Sequence, residues 1–277
     1  MIVGSDGYLG WSLANHLLRR GDSVVGIDNG IRRRAVAEVG GDSLTPLEGI
    51  LKRHNGLGRN GNYYFFNVST LDYDALVEIV KTVVPDVIVH LGELPSAPYS
   101  MLNPKASVVT QHGNVIGTLN LLWVMRQFCP NAHLIKLGTM GEYGTQEDVI
   151  PEGDFKYHKQ PGSFYHLSKV HDSFNIEFAC RTWGLRSTDI MQGVVYGMNK
   201  VGSLTRFDYD EAFGTAINRF MVQALCEHPL TVYGEGGQTR GFLPLQDSMQ
   251  CLQIVMDNPP QAGEYRIVNQ FENTYSV

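Results

Sequence analysis

Ile2-Val3-Gly4-Ser5-Asp6-Gly7-Tyr8-Leu9-Gly10 is a short apolar run that breaks into three glycines spaced three apart, after which Leu9, Leu13, Leu17 and Leu18 recur at helical spacing up to Arg20. That order reads as strand, glycine turn and helix. Gly21-Asp22 ends the helix, Val24-Val25-Gly26-Ile27 reads as a second buried strand, and Asp28 stands at its carboxyl end, closing a βαβ unit. Glycines at this spacing let the backbone turn tightly and approach a pyrophosphate, which the helix N-terminus then faces. By themselves they fit any glycine-rich turn. Asp28 adds an acceptor for adenosine ribose hydroxyls, and its charge opposes a 2′-phosphate. Together they predict a dinucleotide site that takes NAD rather than NADP, built from Gly4, Asp6, Gly7, Tyr8, Leu9, Gly10, Asp28 and Asn29. Arg32, Arg33 and Arg34 either form a solvated face or send one or two guanidinium groups to the pyrophosphate.

Working outward, Tyr63 to Phe66 reads as a third strand, Leu71 to Val84 as a helix, and Val87 to Leu91 as a fourth strand. One long helix is predicted over Ser107 to Phe128, a fifth strand over His133 to Leu137, a helix over Ser163 to Thr182 and a sixth strand over Arg186 to Met191. Such alternation predicts an α/β chain of Rossmann type, a doubly wound parallel sheet with ligands at the carboxyl ends of its strands. Asn29 to Gly61 reads mostly as loop, with one short helix near Leu47 to Lys52. Past residue 192 the texture changes to Gly/Asn/Asp loops, a helix near Glu211 to Glu227, a short strand at Leu230 to Tyr233 and a helix near Leu245 to Asp257. The expected organisation is an NAD-binding domain over 1–191 and a smaller C-terminal substrate lobe over 192–277, shortened at its end.

Composition narrows the partners. With 43% hydrophobic and 18% charged residues, the 277-residue chain is too apolar to be dominated by disorder. A net charge of −6, with no basic run longer than Arg32 to Arg34, argues against a general grip on nucleic acid or anionic lipid and leaves a small molecule as the expected partner. Cys129, Cys180, Cys226 and Cys251 lie far apart and read as reduced core residues; no H-x-x-x-H or similar spacing suggests a metal. No apolar stretch is long enough to cross a bilayer and no export leader is visible, so no membrane is expected and a cytoplasmic location is.

Tyr165-His166-Leu167-Ser168-Lys169 sets a phenol and an ammonium at i and i+4, on one face of one helix. An ammonium beside a phenol favours the phenolate, which brings it toward the range of a general base for a substrate hydroxyl. The spacing is common by chance. Its place after a dinucleotide fingerprint, and after a strand ending at Thr139 whose hydroxyl can reach the same oxygen, gives it weight.

At this point the chain resembles the extended short-chain dehydrogenase/reductase superfamily of nucleotide-sugar epimerases and dehydratases, through the glycine spacing, Asp28, Val89-His90-Leu91, Thr139 before Tyr143-Gly144, and Tyr165-x-x-x-Lys169. Ser96 to Met101, Leu137 to Gly144, Ser163 to Asp172, Gln192 to Gly197, Leu230 to Gly234 and Gly237 to Gly241 look, more narrowly, like the UDP-sulfoquinovose synthase family. The resemblance implies NAD as cofactor, UDP-glucose and sulfite as substrates, a homodimer, and catalysis by Thr139, Tyr165 and Lys169. Met140-Gly141 stands where sugar 4,6-dehydratases carry adjacent Asp and Glu, so Glu142 and His166 become the candidates for the C5 and C6 protons. It also implies cofactor contacts at Asn67, Val68, Leu91, Gly92 and Val195, and substrate contacts at Ser96, Tyr99, Gln192, Arg219, Thr231, Val232, Tyr233 and Arg240. Pro95 stands where plant-type members have an arginine, and Gly113-Asn114 replaces an Asn-Asn pair. A UDP-sugar 4-epimerase or related dehydratase, and a non-catalytic NAD-binding protein, remain as alternatives.

Overall fold

The computed structural model describes residues 1–58, 61–144, 158–199, 204–232 and 234–276. Its strands are β1 (Ile2–Val3), β2 (Val24–Ile27), β3 (Tyr63–Phe66), β4 (Val87–His90), β5 (His133–Thr139), β6 (Arg186–Gln192), β7 (Val194–Tyr196), β8 (Thr239–Pro244), β9 (Tyr265–Gln270) and β10 (Asn273–Ser276). The α-helices are α1 (Tyr8–Arg20), α2 (Ile31–Glu38), α3 (Ile50–Leu57), α4 (Tyr73–Val83), α5 (Ala97–Ser100), α6 (Pro104–Gln111), α7 (Gly117–Phe128), α8 (Phe164–Trp183), α9 (Ala216–Leu225) and α10 (Leu245–Asp257). Seven strands pair in the order β3-β2-β1-β4-β5-β6-β9, every pairing parallel. The order reverses between β1 and β4, which opens a crevice at their carboxyl ends.

Alternation along each strand feeds two cores. Val3, Ile27, Ile88 and Leu134 pack with Leu76 of α4, Leu121 and Met125 of α7, and Ile176 of α8. Ile2, Val24, Val89, Ile135 and Ile190 face the other way, onto Leu13 of α1 and Leu252 of α10. The α1 helix stops because Gly21 takes a left-handed conformation and donates its N–H to the Leu17 and Leu18 carbonyls.

Several parts differ from the sequence reading, and the short strand expected at Leu230 to Tyr233 is absent over Leu230 to Val232, Tyr233 lying outside the described residues. The long helix over Ser107 to Phe128 begins at Pro104 and passes through a π-helical stretch at His112–Ile116 before α7. Asn29 to Gly61 holds two helices, α2 and α3, docked beside the glycine turn by side-chain bonds that a local pattern does not reveal. Residues 192–277 do not stay in a lobe of their own. β9 returns to the main sheet beside β6, α10 packs on α1, and among the described residues β7, β8 and β10 form a separate small sheet.

Candidate active site

The crevice at the strand ends holds two cavities that meet at Gly4, Gly7, Leu91 and Glu93, one of about 200 Å³ and one of about 730 Å³. The smaller is walled by Asp28, Asn29, Arg32, Val68 and Gly92. The larger runs past Tyr8, Leu9 and Gly10 to Thr139, Tyr165, His166, Lys169, Gln192, Val195 and Arg240.

The glycine turn is shaped by backbone contact. A Cβ added at Gly4 would lie 2.4 Å from the Leu91 carbonyl oxygen, and one at Gly10 would lie 2.1 Å from that of Gly4. Gly7 caps α1 without a side-chain acceptor and the first turn carries no acid, so the positive helix end is left for an anion. Asp28 accepts the Asp6 and Gly30 N–H groups at 2.9 and 2.7 Å; burial pushes its carboxyl up. A bare cradle, a free helix end and a ribose acceptor fit NAD. Tyr8 donates its hydroxyl to the Gly197 carbonyl at 2.6 Å, tying the turn to the loop after β7.

The basic residues near this turn are engaged elsewhere. Arg33 holds Asp6 through both carboxylate oxygens, and the Arg53 guanidinium, stacked 3.8 Å from the centre of the Trp11 ring, shares that carboxylate at 2.8 Å. Against the cost of burial, Arg33, His54 and Arg53 hold the Asp6 carboxyl far below its ordinary range. Asp6 and Arg33 thus brace the turn from behind and line neither cavity, while Arg32 lines the smaller one and is bound to Asp208 at 2.7 Å. Asn67 is exposed beyond β3 and lines neither.

On the opposite flank, α8 carries Tyr165, His166 and Lys169 into the larger cavity, its first turn capped by the Ser163 hydroxyl, which accepts the His166 N–H. Thr139, at the end of β5, faces the same space and accepts the Gly141 N–H with its hydroxyl at 3.1 Å. A Cβ on Gly141 would meet His166 Nε2 at 2.3 Å. The imidazole therefore fills the volume an acidic side chain would need there. Burial lowers the His166 pKa, the Glu142 charge opposes this, and Arg240 adds to it. Gln192 is held by Ser248 and Gln270, and Val195 is buried in the wall.

The expected electrostatics of the tyrosine are corrected. Lys169 Nζ lies 2.8 Å from Glu93 Oε1, both side chains buried, so its charge is committed to a carboxylate. Burial raises the Tyr165 pKa, the Glu93 and Glu142 charges raise it further, and Lys136 and Arg32 pull the other way. In this ligand-free geometry the phenol, rather than the phenolate, is favoured.

Glu142 is likewise not where its candidacy put it. It is fully buried and lines neither cavity, with Lys136 at 3.0 Å on one oxygen and Lys159 at 2.8 Å on the other. Burial works against its charge, but the two ammonium groups hold its carboxyl well below the usual range. Lys136 also binds Asp189, Ser173 and the Lys169 carbonyl, making a charged knot beneath α8.

Five of the expected substrate contacts also lie outside the cavities. Ser96 caps α5 and donates its hydroxyl to the Ala212 carbonyl; Tyr99, buried against Phe213, donates to Glu38 at 2.9 Å. Arg219 donates to the Thr231 carbonyl, Thr231 is bonded to Gln223, and Val232 is exposed. Tyr233 lies outside the described residues. Two contributors were missed. Asn114, in the π-helical stretch, accepts the Leu94 N–H and donates to Ser168, joining the β4 loop to α8. Glu93 touches both cavities; a carboxylate following the Val87 to Leu91 strand was the available signal.

Among the described residues no cluster of metal-ligating side chains occurs, and no helix is long and apolar enough to cross a membrane. The NAD dependent epimerase/dehydratase family matches residues 1–269. A chloroplastic UDP-sulfoquinovose synthase from Spinacia oleracea is 48% identical over 296 residues, covering 100% of this chain and 61% of its own length. A UDP-sulfoquinovose synthase from Sulfolobus acidocaldarius is 42% identical over 298 residues, covering 100% of this chain and 75% of its own length. This chain thus spans less than two thirds of the spinach protein. In fold it is similar to the UDP-glucuronic acid 4-epimerase of Bacillus cereus, solved with UDP-glucuronic acid and NAD, at 22% identity and a TM-score of 0.77 over 99% of this chain and 78% of that one. With NAD as its cofactor, the chain belongs to the NAD dependent epimerase/dehydratase family, and within it stands with the UDP-sulfoquinovose synthases.

Proposed function

We propose that the chain joins UDP-glucose, sulfite and a proton to give UDP-sulfoquinovose and water. The observation that carries this reading is the contact between Gly141 and His166, which puts an imidazole where a dehydratase of the ordinary kind needs a carboxyl side chain. Similarity along the whole chain to two UDP-sulfoquinovose synthases supports it.

NAD, when bound, supplies a hydride acceptor at the sugar C4 and later returns the hydride, so no net redox change results. Tyr165, once ionised, takes the C4 hydroxyl proton, Thr139 bonds the same oxygen, and Lys169 lines the same cavity. The C4 ketone acidifies the C5 proton. His166 removes that proton and protonates the departing C6 hydroxyl, leaving an enone that accepts the sulfur of sulfite at C6 while a proton from solvent returns to C5. Glu142 contributes through its charge, which raises the His166 pKa. Arg240, on the cavity wall, meets the diphosphate, and Gln192 meets the hexose. Trp123, Phe174 and Phe178, exposed on α7 and α8, are the surface on which a homodimer would form. A cytoplasmic setting belongs to the same proposal, although the spinach relative is chloroplastic.

The test is incubation of the NAD-loaded protein with UDP-glucose and sulfite, followed by mass spectrometry. UDP-sulfoquinovose is the expected product. A UDP-hexose epimer formed without sulfite would assign the chain to epimerases, and NAD retention with no turnover would make it a binding protein.

A further inference from the structure

Of the buried carboxylates beneath the catalytic helix, Glu142 and Glu93 have different surroundings. Glu142 sits between Lys136 and Lys159, the former shared with Asp189. Glu93 has one cationic partner: its Oε1 takes Lys169 Nζ at 2.8 Å, while Oε2 is buried with no hydrogen-bond partner among the described residues. His90 Nε2 stands 3.7 Å from Oε1, and His90, buried, has its pKa pushed down to about 4. The imidazole therefore adds no cation at neutral pH. Asp172, one helical turn along from Ser168 and Lys169, is buried, and burial followed by the Glu93 charge drives its carboxyl well up.

Among the described residues, Glu93 is also the one side chain beyond the glycine turn and Leu91 that both cavities share. A carboxylate and an ammonium 2.8 Å apart act on a third group as a dipole, whose field falls off faster than that of either charge. Lys169 therefore cannot stabilise a Tyr165 phenolate at full strength while Glu93 faces it. The other charges around the phenol are Glu142, Lys136 and Arg32, with His166 as its neighbour in the chain.

We propose that Glu93 is a positioning residue that holds Lys169 in place and turns its charge away from Tyr165 in the ligand-free cleft. The proposal rests on the reading of Tyr165 as the proton acceptor. It adds a restraint that the Tyr-x-x-x-Lys spacing does not contain.

The test is direct titration of Tyr165 by ¹³Cζ-tyrosine NMR, its resonance assigned by its loss in Tyr165→Phe, in the ligand-free wild type and in Glu93→Gln over the pH range in which both stay folded. The onset of ionisation is expected at least about one unit lower in Glu93→Gln, a tenfold larger phenolate fraction at a given pH. Should Glu93→Gln fail to fold, Glu93→Asp keeps the charge but draws it back from Lys169, and a smaller shift in the same direction is expected. Superimposable Tyr165 titrations in wild type and the folded variant would overturn the proposal, as would a shift to higher pH. Because the readout needs no turnover, absence of UDP-sulfoquinovose would count against the proposed reaction and leave this result standing by itself.

Discussion

The two flanks of the cleft are built by opposite means. On the cofactor flank, β1, the glycine turn, α1 and Asp28 follow one another in the chain, and close backbone approach does most of the shaping: an added Cβ at Gly4 or Gly10 would strike main-chain atoms. On the catalytic flank, the surroundings of Tyr165 come from far apart. Lys136 arrives on β5, Ser173 on α8, Asp189 on β6, and Tyr265 on β9 donates its hydroxyl to that same Asp189 carboxylate. A local motif can place a tyrosine and a lysine, but the field around them is a tertiary property.

If that contrast holds, damage to the charged knot should cost stability first. Lys136→Met leaves Glu142 with Lys159 and the Ser173 hydroxyl and leaves Asp189 without its ammonium partner. Removing one member of such a buried set costs about 3–5 kcal/mol, to be read as a lower urea midpoint with an unchanged slope. A loss under about 1 kcal/mol would mean that the knot relaxes and the flanks differ less than argued here.

Acid should find weak points at two buried histidines, His90 and His133. Burial pushes His90 and His133 down to about 4, opposed by Glu93 at His90 and reinforced by Arg266 and Arg186 at His133. The unfolded chain binds more protons than the folded one between about 6.5 and about 4, so stability is complete above that window and falls as pH drops through it, by at most about 3 kcal/mol for each histidine. Melting temperatures measured across pH 4–7 should show this slope. His133→Gln should flatten part of it; an unchanged slope would remove His133 from the explanation.

A smaller and more local effect is expected at Gly141. An alanine there must displace the His166 ring, which its Cβ would meet at 2.3 Å. Turnover should fall by roughly 10- to 100-fold, about 1.4–2.7 kcal/mol, with NAD content unchanged. If NAD is lost as well, the flanks are mechanically coupled. On the other side, Asp28→Asn removes the charge and one of the two oxygens that accept the Asp6 and Gly30 N–H groups, and NAD should bind about tenfold more weakly, some 1.4 kcal/mol, at unchanged turnover when saturated. Calorimetry decides it, and equal affinity would mean that the backbone cradle does the work alone.

How much was legible in the sequence follows the same division. Gly4, Gly7, Gly10 and Asp28 could be read because their spacing is itself the structure, and all but Gly10 of them line the smaller cavity. Tyr165, His166, Lys169 and Thr139 could be placed together, and they share the larger one. The partners of their charges could not be read. Glu142 looked like a free acid because Lys136 and Lys159 lie on other segments, and Lys169 looked free because nothing in its own helix announces Glu93. Ser96 and Tyr99 belong to a motif that resembles a substrate edge, yet their hydroxyls are spent on Ala212 and Glu38. The return of β9 to the main sheet was hidden for a related reason: six residues of moderate hydrophobicity acquire their place from β6, not from their own pattern.

The central claim is that the Tyr165 oxygen receives the proton of the sugar hydroxyl. Turnover of UDP-glucose with sulfite by Tyr165→Phe, set beside its NAD content and melting temperature, tests it most directly. The account requires a loss of about 10²- to 10⁴-fold in rate with cofactor and stability preserved; a rate equal to wild type would contradict it.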